Sequence, residues 1–307
     1  MNYKMISLLS AAMLSGLMSC AQDTIIPIWS GEIPNRIASA EKEIVEQGDI
    51  LRISKVQVPA LEVYLPAKAN SNGQAVLIFP GGGYHILAYD WEGTDIAKYL
   101  NSKGIAGIVV KYRLPTSESL SDPSNVPLMD AQRAIRIVRN NAERWNLDAA
   151  KIGIMGFSAG GHLASTLGTH FEEEVYPGIE TLDMLSARPD FMVLVYPVIT
   201  FTKTTVHQGS RTALLGAQPG EDLVRHFSNE LQVTNDTPPT ILIHAADDQA
   251  VPAENSILFF QALQSHGVQA ALHIYARGGH GFSLAPKDPY LRGWTDRVTE
   301  WMERMNN

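Results

Sequence analysis

The stretch Gly156-Phe157-Ser158-Ala159-Gly160 constrains this chain more than any other. It follows the apolar run Lys151-Ile152-Gly153-Ile154-Met155 and precedes the helix-compatible Gly161-His162-Leu163-Ala164-Ser165. A short apolar run bounded by glycine reads as a buried strand and the residues after Ser158 as a helix, so the serine must occupy a tight strand-to-helix turn. Such a turn forces the serine backbone into a strained conformation, and glycines two before and two after it leave room for the crossing chain. The hydroxyl then stands at the end of a sheet with the N-terminus of a helix behind it. A Gly/Ser-rich turn with no chemistry shares the bare pattern, so the weight falls on what accompanies it.

The rest of the chain supplies a sheet for that turn to end on. Residues 75–79, 105–111, 191–196 and 241–245 are apolar runs, as strands covered on both faces require. Helical spacing of apolar residues fills 90–103 (closed by Gly104), 127–145, 253–266 and 291–305. Further strand signals lie at 53–58, 61–65 and 271–275. This alternation predicts an α/β fold with a mostly parallel central sheet and helices on both faces. Residues 20–50 read as an irregular lead-in and 51–307 as one α/β domain. Within it, 197–236 break the rhythm: they are rich in Thr, Ser, Gly and Gln, with a short helix near 222–230, and read as a lid insertion.

Net charge is −8 and no basic cluster is interleaved with aromatics, which argues against a nucleic-acid partner. The first residues are of different character. Lys4 precedes an apolar stretch over 5–18 that is short for a membrane span and ends Leu17-Met18-Ser19-Cys20. This resembles a bacterial lipoprotein signal of residues 1–19, with Cys20 the lipidated new first residue; the alternative is an ordinary signal peptide cut near Ala21. Cys20 is the only cysteine, so no disulfide within the chain is available. Export is expected, with membrane contact only through the lipid anchor.

A serine hydroxyl is a weak nucleophile until a base takes its proton, and the base is normally a histidine oriented by a carboxylate. Of nine histidines, His280 in Arg277-Gly278-Gly279-His280-Gly281-Phe282 directly follows the last strand, with glycines on both sides. His162 lies within a helical turn or so of Ser158 and reads as a local packing residue; His244 and His273 lie within strands and read as core histidines. The acid should follow the strand at 241–245, where Asp247 and Asp248 both stand. The oxyanion of a tetrahedral intermediate needs backbone donors. One is the N–H of Ala159. The others come from the glycine loop after 75–79, where Gly83 and Tyr84 are the first choice and Gly82 the alternative. No Lys-Ser/Thr follows these glycines, which argues against a phosphate cradle. Tyr84, His85, Trp91 and Glu92 just beyond, and Arg113 at the end of a strand, are candidates for substrate contact, because aromatic faces and polar edges suit sugar rings; loop packing is the plain alternative. Asp130 and Arg133 read as a structural salt bridge. No His/Asp/Glu set stands at metal-ligand spacing along the sequence, and neither metal nor cofactor is expected.

These residues together resemble the α/β-hydrolase superfamily, and within it bacterial carbohydrate esterases of the acetyl-xylan and feruloyl type. The carriers are Pro80-Gly81-Gly82-Gly83-Tyr84, Lys111-Tyr112-Arg113-Leu114-Pro115, Gly156-Phe157-Ser158-Ala159-Gly160-Gly161-His162, Asp247-Asp248 with Val251-Pro252, and Gly278-Gly279-His280-Gly281-Phe282. The resemblance implies that Asp248, three residues before Val251-Pro252, is the acid and Asp247 a turn residue. It implies a Ser158–His280–Asp248 triad that hydrolyses small acyl esters, acetyl foremost, on plant saccharides. Pro80 stands where hormone-sensitive-lipase-like relatives carry a histidine, which points away from that branch. A serine peptidase of prolyl-oligopeptidase type, a feruloyl or pectic esterase, and a non-catalytic protein on the same fold are the competing readings.

Overall fold

The computed structural model describes residues 24–178, 180–202 and 204–305. Its main sheet has eight strands. In chain order these are β1 (Thr24–Pro27), β4 (Ala60–Tyr64), β5 (Ala75–Phe79), β7 (Ala106–Lys111), β8 (Ile152–Phe157), β9 (Met192–Val195), β10 (Thr240–Ala245) and β11 (Ala270–Tyr275). Across the sheet the order is β1-β4-β7-β5-β8-β9-β10-β11. The two pairs at the β1 edge are antiparallel and every other pair is parallel. A small antiparallel sheet joins β2 (Ile44–Gln47), β3 (Leu51–Ser54) and β6 (Leu87–Ala88).

The central strands are apolar because both faces are covered: every residue of β5, β8, β9 and β10 is buried. The covering helices are α1 (Asp95–Ser102), α2 (Val126–Asn140), α3 (Ser158–Thr169), α4 (Gln208–Leu215), α5 (Glu221–His226), α6 (Glu254–Ser265), α7 (Pro289–Arg292) and α8 (Trp294–Arg304). Among these, α3 packs hardest on the sheet because its inner face is small. A Cβ on Gly160 would lie 2.1 Å from the Phe79 carbonyl oxygen, and one on Gly168 would lie 2.1 Å from the Met192 sulfur.

The alternation of strand and helix is therefore as the sequence implied, with local differences. The lead-in is not wholly irregular, since it contributes β1 and β2. Those strands have four residues each and are mostly or wholly exposed, so they carry no buried-strand signature. The helix expected over 90–103 opens as a wide π-turn at Asp90–Thr94 before α1, and the one expected over 127–145 ends at Asn140. The insertion holds two helices, α4 and α5, rather than one. β11 is the sheet edge, so His273 is half-buried rather than a core histidine. Asp130 and Arg133 do not pair with each other: Asp130 binds Arg113 at 2.7 Å, and Arg133 reaches Asp183 and Glu180. Residues 1–23, including Cys20, lie outside the described residues; among the described ones no helix is long and apolar enough to cross a membrane.

Candidate active site

In a parallel sheet, strand C-termini at one edge collect the loops that can meet over a ligand. Here the loops after β5, β8, β10 and β11 do so. Ser158 directly follows β8 and begins α3 with φ +51°, in the left-handed region that costs a non-glycine residue strain. A Cβ on Gly156 would lie 2.3 Å from the Gly160 carbonyl oxygen, so the turn closes only with glycine at that position. The Ser158 carbonyl is fixed by the Val198 N–H at 3.0 Å.

Ser158 Oγ lies 2.8 Å from His280 Nε2, and His280 Nδ1 lies 2.7 Å from Asp248 Oδ2. With Nδ1–H donating to the carboxylate, Nε2 is the acceptor for the serine proton. The loop holding His280 is pinned on both sides: the Gly279 N–H donates to Asp247 Oδ1 at 2.8 Å, and Trp91 Nε1–H donates to the Gly281 carbonyl at 2.8 Å. Thus the adjacent aspartates divide the work, Asp248 on the ring and Asp247 on its backbone. The Asp248 side chain is fully buried. Burial pushes against its ionisation, but hydrogen bonds from His244, His280 and the Val251 N–H outweigh it and hold the carboxyl well below the usual range. His244 braces this loop from beneath: its Nε2–H donates to the Val251 carbonyl at 2.9 Å and its Nδ1 accepts from Ser256 at 2.7 Å.

The glycine loop after β5 runs beside Ser158. A Cβ on Gly81 would lie 2.9 Å from that of Ser158, and Gly82, Gly83 and Tyr84 all have positive φ. These dihedrals turn successive N–H groups to one side. The Gly81 N–H is taken by Glu92 at 2.8 Å; among the described residues those of Gly82, Gly83 and Tyr84 meet no protein acceptor. The Ala159 N–H is an open first-turn donor of α3. The loop is held by its side chains: Tyr112 donates to the Pro80 carbonyl at 2.7 Å, and the Tyr84 hydroxyl donates to His162 Nδ1 at 2.9 Å. His162 Nε2–H in turn donates to the Phe227 carbonyl at 2.9 Å.

The residues expected to touch substrate separate into two groups. Tyr84, Glu92 and Arg113 are 1%, 4% and 2% exposed, and their side chains face inward. The Glu92 carboxylate accepts from Gly81 and, at 2.8 Å, from Tyr196. Burial raises its pKa against those two hydrogen bonds. Arg113 is spent on Asp130 and the Pro34 carbonyl. By contrast His85 is exposed, and Trp91 borders a groove of about 350 Å³ with Gly278, Phe282 and Leu291, beside the His280 loop. One residue that the sequence reading passed over joins them. His207, from the insertion, comes within 4.0 Å of the Cβ position of Gly83, next to His85. Its Nδ1 accepts the Ser210 N–H at 3.1 Å as the cap of α4, which leaves Nε2–H as a donor. A histidine one residue before a helix was the only available signal.

Burial drives His162 down to about 4, opposed by its bond to Phe227. Its folded value lies below the unfolded one, so the unfolded chain binds the extra proton between the two. The stabilisation is full above pH ~6.5 and is lost as pH falls toward 4. Urea unfolding at pH 7 and about pH 4.5 is expected to show on the order of 2–3 kcal/mol lost from this group, and His162→Gln should flatten that part of the slope.

Set against known proteins, residues 61–263 match the BD-FAE family profile. An endo-1,4-beta-xylanase B of Butyrivibrio fibrisolvens is 37% identical over 239 residues, covering 78% of this chain and 36% of that protein. An acetylxylan esterase of Xylanibacter ruminicola is 38% identical over 238 residues, covering 76% and 46%. The chain thus spans less than half the length of these two relatives. A solved acetyl ester-xyloside bifunctional hydrolase from Caldicellulosiruptor lactoaceticus superposes with a TM-score of 0.80 at 37% identity, covering 95% of this chain and 99% of that one.

Proposed function

The chain belongs to the BD-FAE family of α/β-hydrolases, and from that premise we propose that it is a serine carboxylesterase removing acetyl groups from xylan-type saccharides through an acyl-enzyme on Ser158. The observation that carries the reading is the run of contacts from Ser158 Oγ to His280 at 2.8 Å and on to Asp248 at 2.7 Å, beside unpaired backbone N–H groups. As Oγ attacks the acyl carbon, its proton passes to His280 Nε2 and the carbonyl electrons move onto oxygen. The N–H groups of Ala159, Gly83 and Tyr84 then stabilise that oxyanion. Collapse expels the sugar oxygen, which takes the proton from His280. A water repeats the sequence in reverse and releases acetate. Asp248 stays ionised and stabilises the imidazolium.

Substrate class is supported by the names of two relatives, an acetylxylan esterase and an acetyl ester-xyloside hydrolase. His85, Trp91 and His207, on the open side of the glycine and His280 loops, suit a sugar ring. The lipoprotein-type signal read at residues 1–19 supports a site of action outside the cytoplasm, and the insertion read at 197–236 is in position to act as the lid. The groove lined by Trp91 and Phe282 favours a second reading, a feruloyl ester whose aromatic acyl group packs there. Acetate release from acetylated xylan, run beside methyl ferulate and 4-nitrophenyl acetate, separates the two. Acetate from xylan is the expected result. Turnover of ferulate or nitrophenyl ester without acetate from xylan would sink the acetyl-xylan reading.

A further inference from the structure

Away from Ser158, at the far end of α3, the fold brings a distant histidine, His226, to two residues that lie three apart in the sequence, His170 and Glu173. His170 closes α3, Glu173 follows one turn later, and His226 ends α5 in the insertion. One candidate ligand atom on each lies within 4.8 Å of the other two. The two imidazole rings meet edge to face with centroids 4.4 Å apart, and His226 Nε2 stands 3.4 Å from the Glu173 carboxylate. The His170 residue is 8% exposed, and its Nε2 is buried with no hydrogen-bond partner. Its Nδ1 lies 2.8 Å from Thr169 Oγ1 and 3.2 Å from the Thr166 carbonyl, an acceptor only, which puts the ring proton on Nδ1 and leaves a bare lone pair on Nε2. A buried nitrogen lone pair without a donor is costly unless something fills it.

We propose that His170, Glu173 and His226 bind a divalent transition-metal ion of the zinc type. Two imidazoles and a carboxylate suit such an ion, with water in the fourth position. His170 ligates through its neutral ring, with the Nε2 lone pair turned toward Glu173 and His226. The turn is rigid: Gln132 donates to the carbonyls of both His170 and Glu173, at 3.0 and 2.9 Å. The side chains of His226 and Glu173 are 33% and 36% exposed, which gives the ion a way in from solvent. Once bound, it ties α5 to α3. The next residue, Phe227, is the one whose carbonyl holds His162, and His162 holds Tyr84 of the glycine loop. The ion is thus a latch between the insertion and the oxyanion loop, and it takes no part in the chemistry at Ser158.

The test is titration of the full chain, previously dialysed against chelator, with Zn²⁺ alone, followed by calorimetry and thermal unfolding. A rise in Tm of about 5 °C is expected at a hundredfold excess over Kd. Glu173→Gln should weaken binding at least about tenfold, and His226→Ala should abolish the rise; both positions are partly exposed, so the variants should fold. Ser158→Ala should bind as the parent does. Co²⁺ in place of Zn²⁺ should give visible absorption that His226→Ala lacks. Neither heat nor a Tm rise, or a rise that His226→Ala retains in full, would overturn the proposal, the latter by placing the ion on other histidines.

Discussion

Replacing Ser158 by alanine is expected to lower kcat for ester hydrolysis on the order of 10⁶-fold, about 8 kcal/mol of barrier, while the protein stays folded. The size follows from what the hydroxyl does. In the proposed mechanism it is the atom that His280, 2.8 Å away, deprotonates, and without it the imidazole and its aspartate have no nucleophile to serve. The positive φ at residue 158 is carried equally by alanine, and only one side-chain hydrogen bond is lost, so Tm should move little. Steady-state rates on 4-nitrophenyl acetate, with melting curves of both proteins, measure the two quantities together. A variant keeping a tenth of the parent rate would show that Ser158 is not the nucleophile.

The second large effect separates neighbours. Asp248→Asn is expected to reduce kcat about 10⁴-fold, the loss seen when a triad carboxylate becomes an amide, whereas Asp247→Asn should cost about tenfold or less. Asp248 Oδ1 accepts two backbone N–H groups, from Ala250 and Val251, both at 2.9 Å. An asparagine must keep its carbonyl oxygen there, which turns its amide toward His280. The ring then has to accept on Nδ1 and carry its proton on Nε2, where it can no longer take one from serine. At position 247 the one bond comes from the Gly279 N–H, and an asparagine oxygen can accept it equally well. Equal losses, or a larger one at 247, would reverse the assignment.

What could be read in advance was whatever the chain punctuates locally. The bounds of β5 matched the apolar run residue for residue, because all five side chains are buried and Pro80-Gly81 stops it. Ser158 and Asp248 follow such strands, and His280 follows the partly exposed edge strand β11, so topology alone puts all three at one edge of the sheet. Residues whose role depends on a distant partner were not legible. Glu92 reads from sequence as a candidate for substrate contact, yet the π-turn at Asp90–Thr94 buries it where it takes the Gly81 N–H. Arg113 and Asp130 are 17 residues apart on different elements, and Arg133, three residues from Asp130 on the same helix, was the more obvious partner. The approach of His226 to His170 depends on how the insertion folds back, which no periodicity in 197–236 announces.

The most direct test of the central claim is covalent. A fluorophosphonate, which phosphonylates a serine only when a base and an oxyanion site activate it, should inactivate the protein completely with loss of fluoride. Peptide mass spectrometry should then find one label, on Ser158, and none in Ser158→Ala or His280→Ala. Full esterase activity after exposure, or a label on another residue that accounts for the inactivation, would contradict the account.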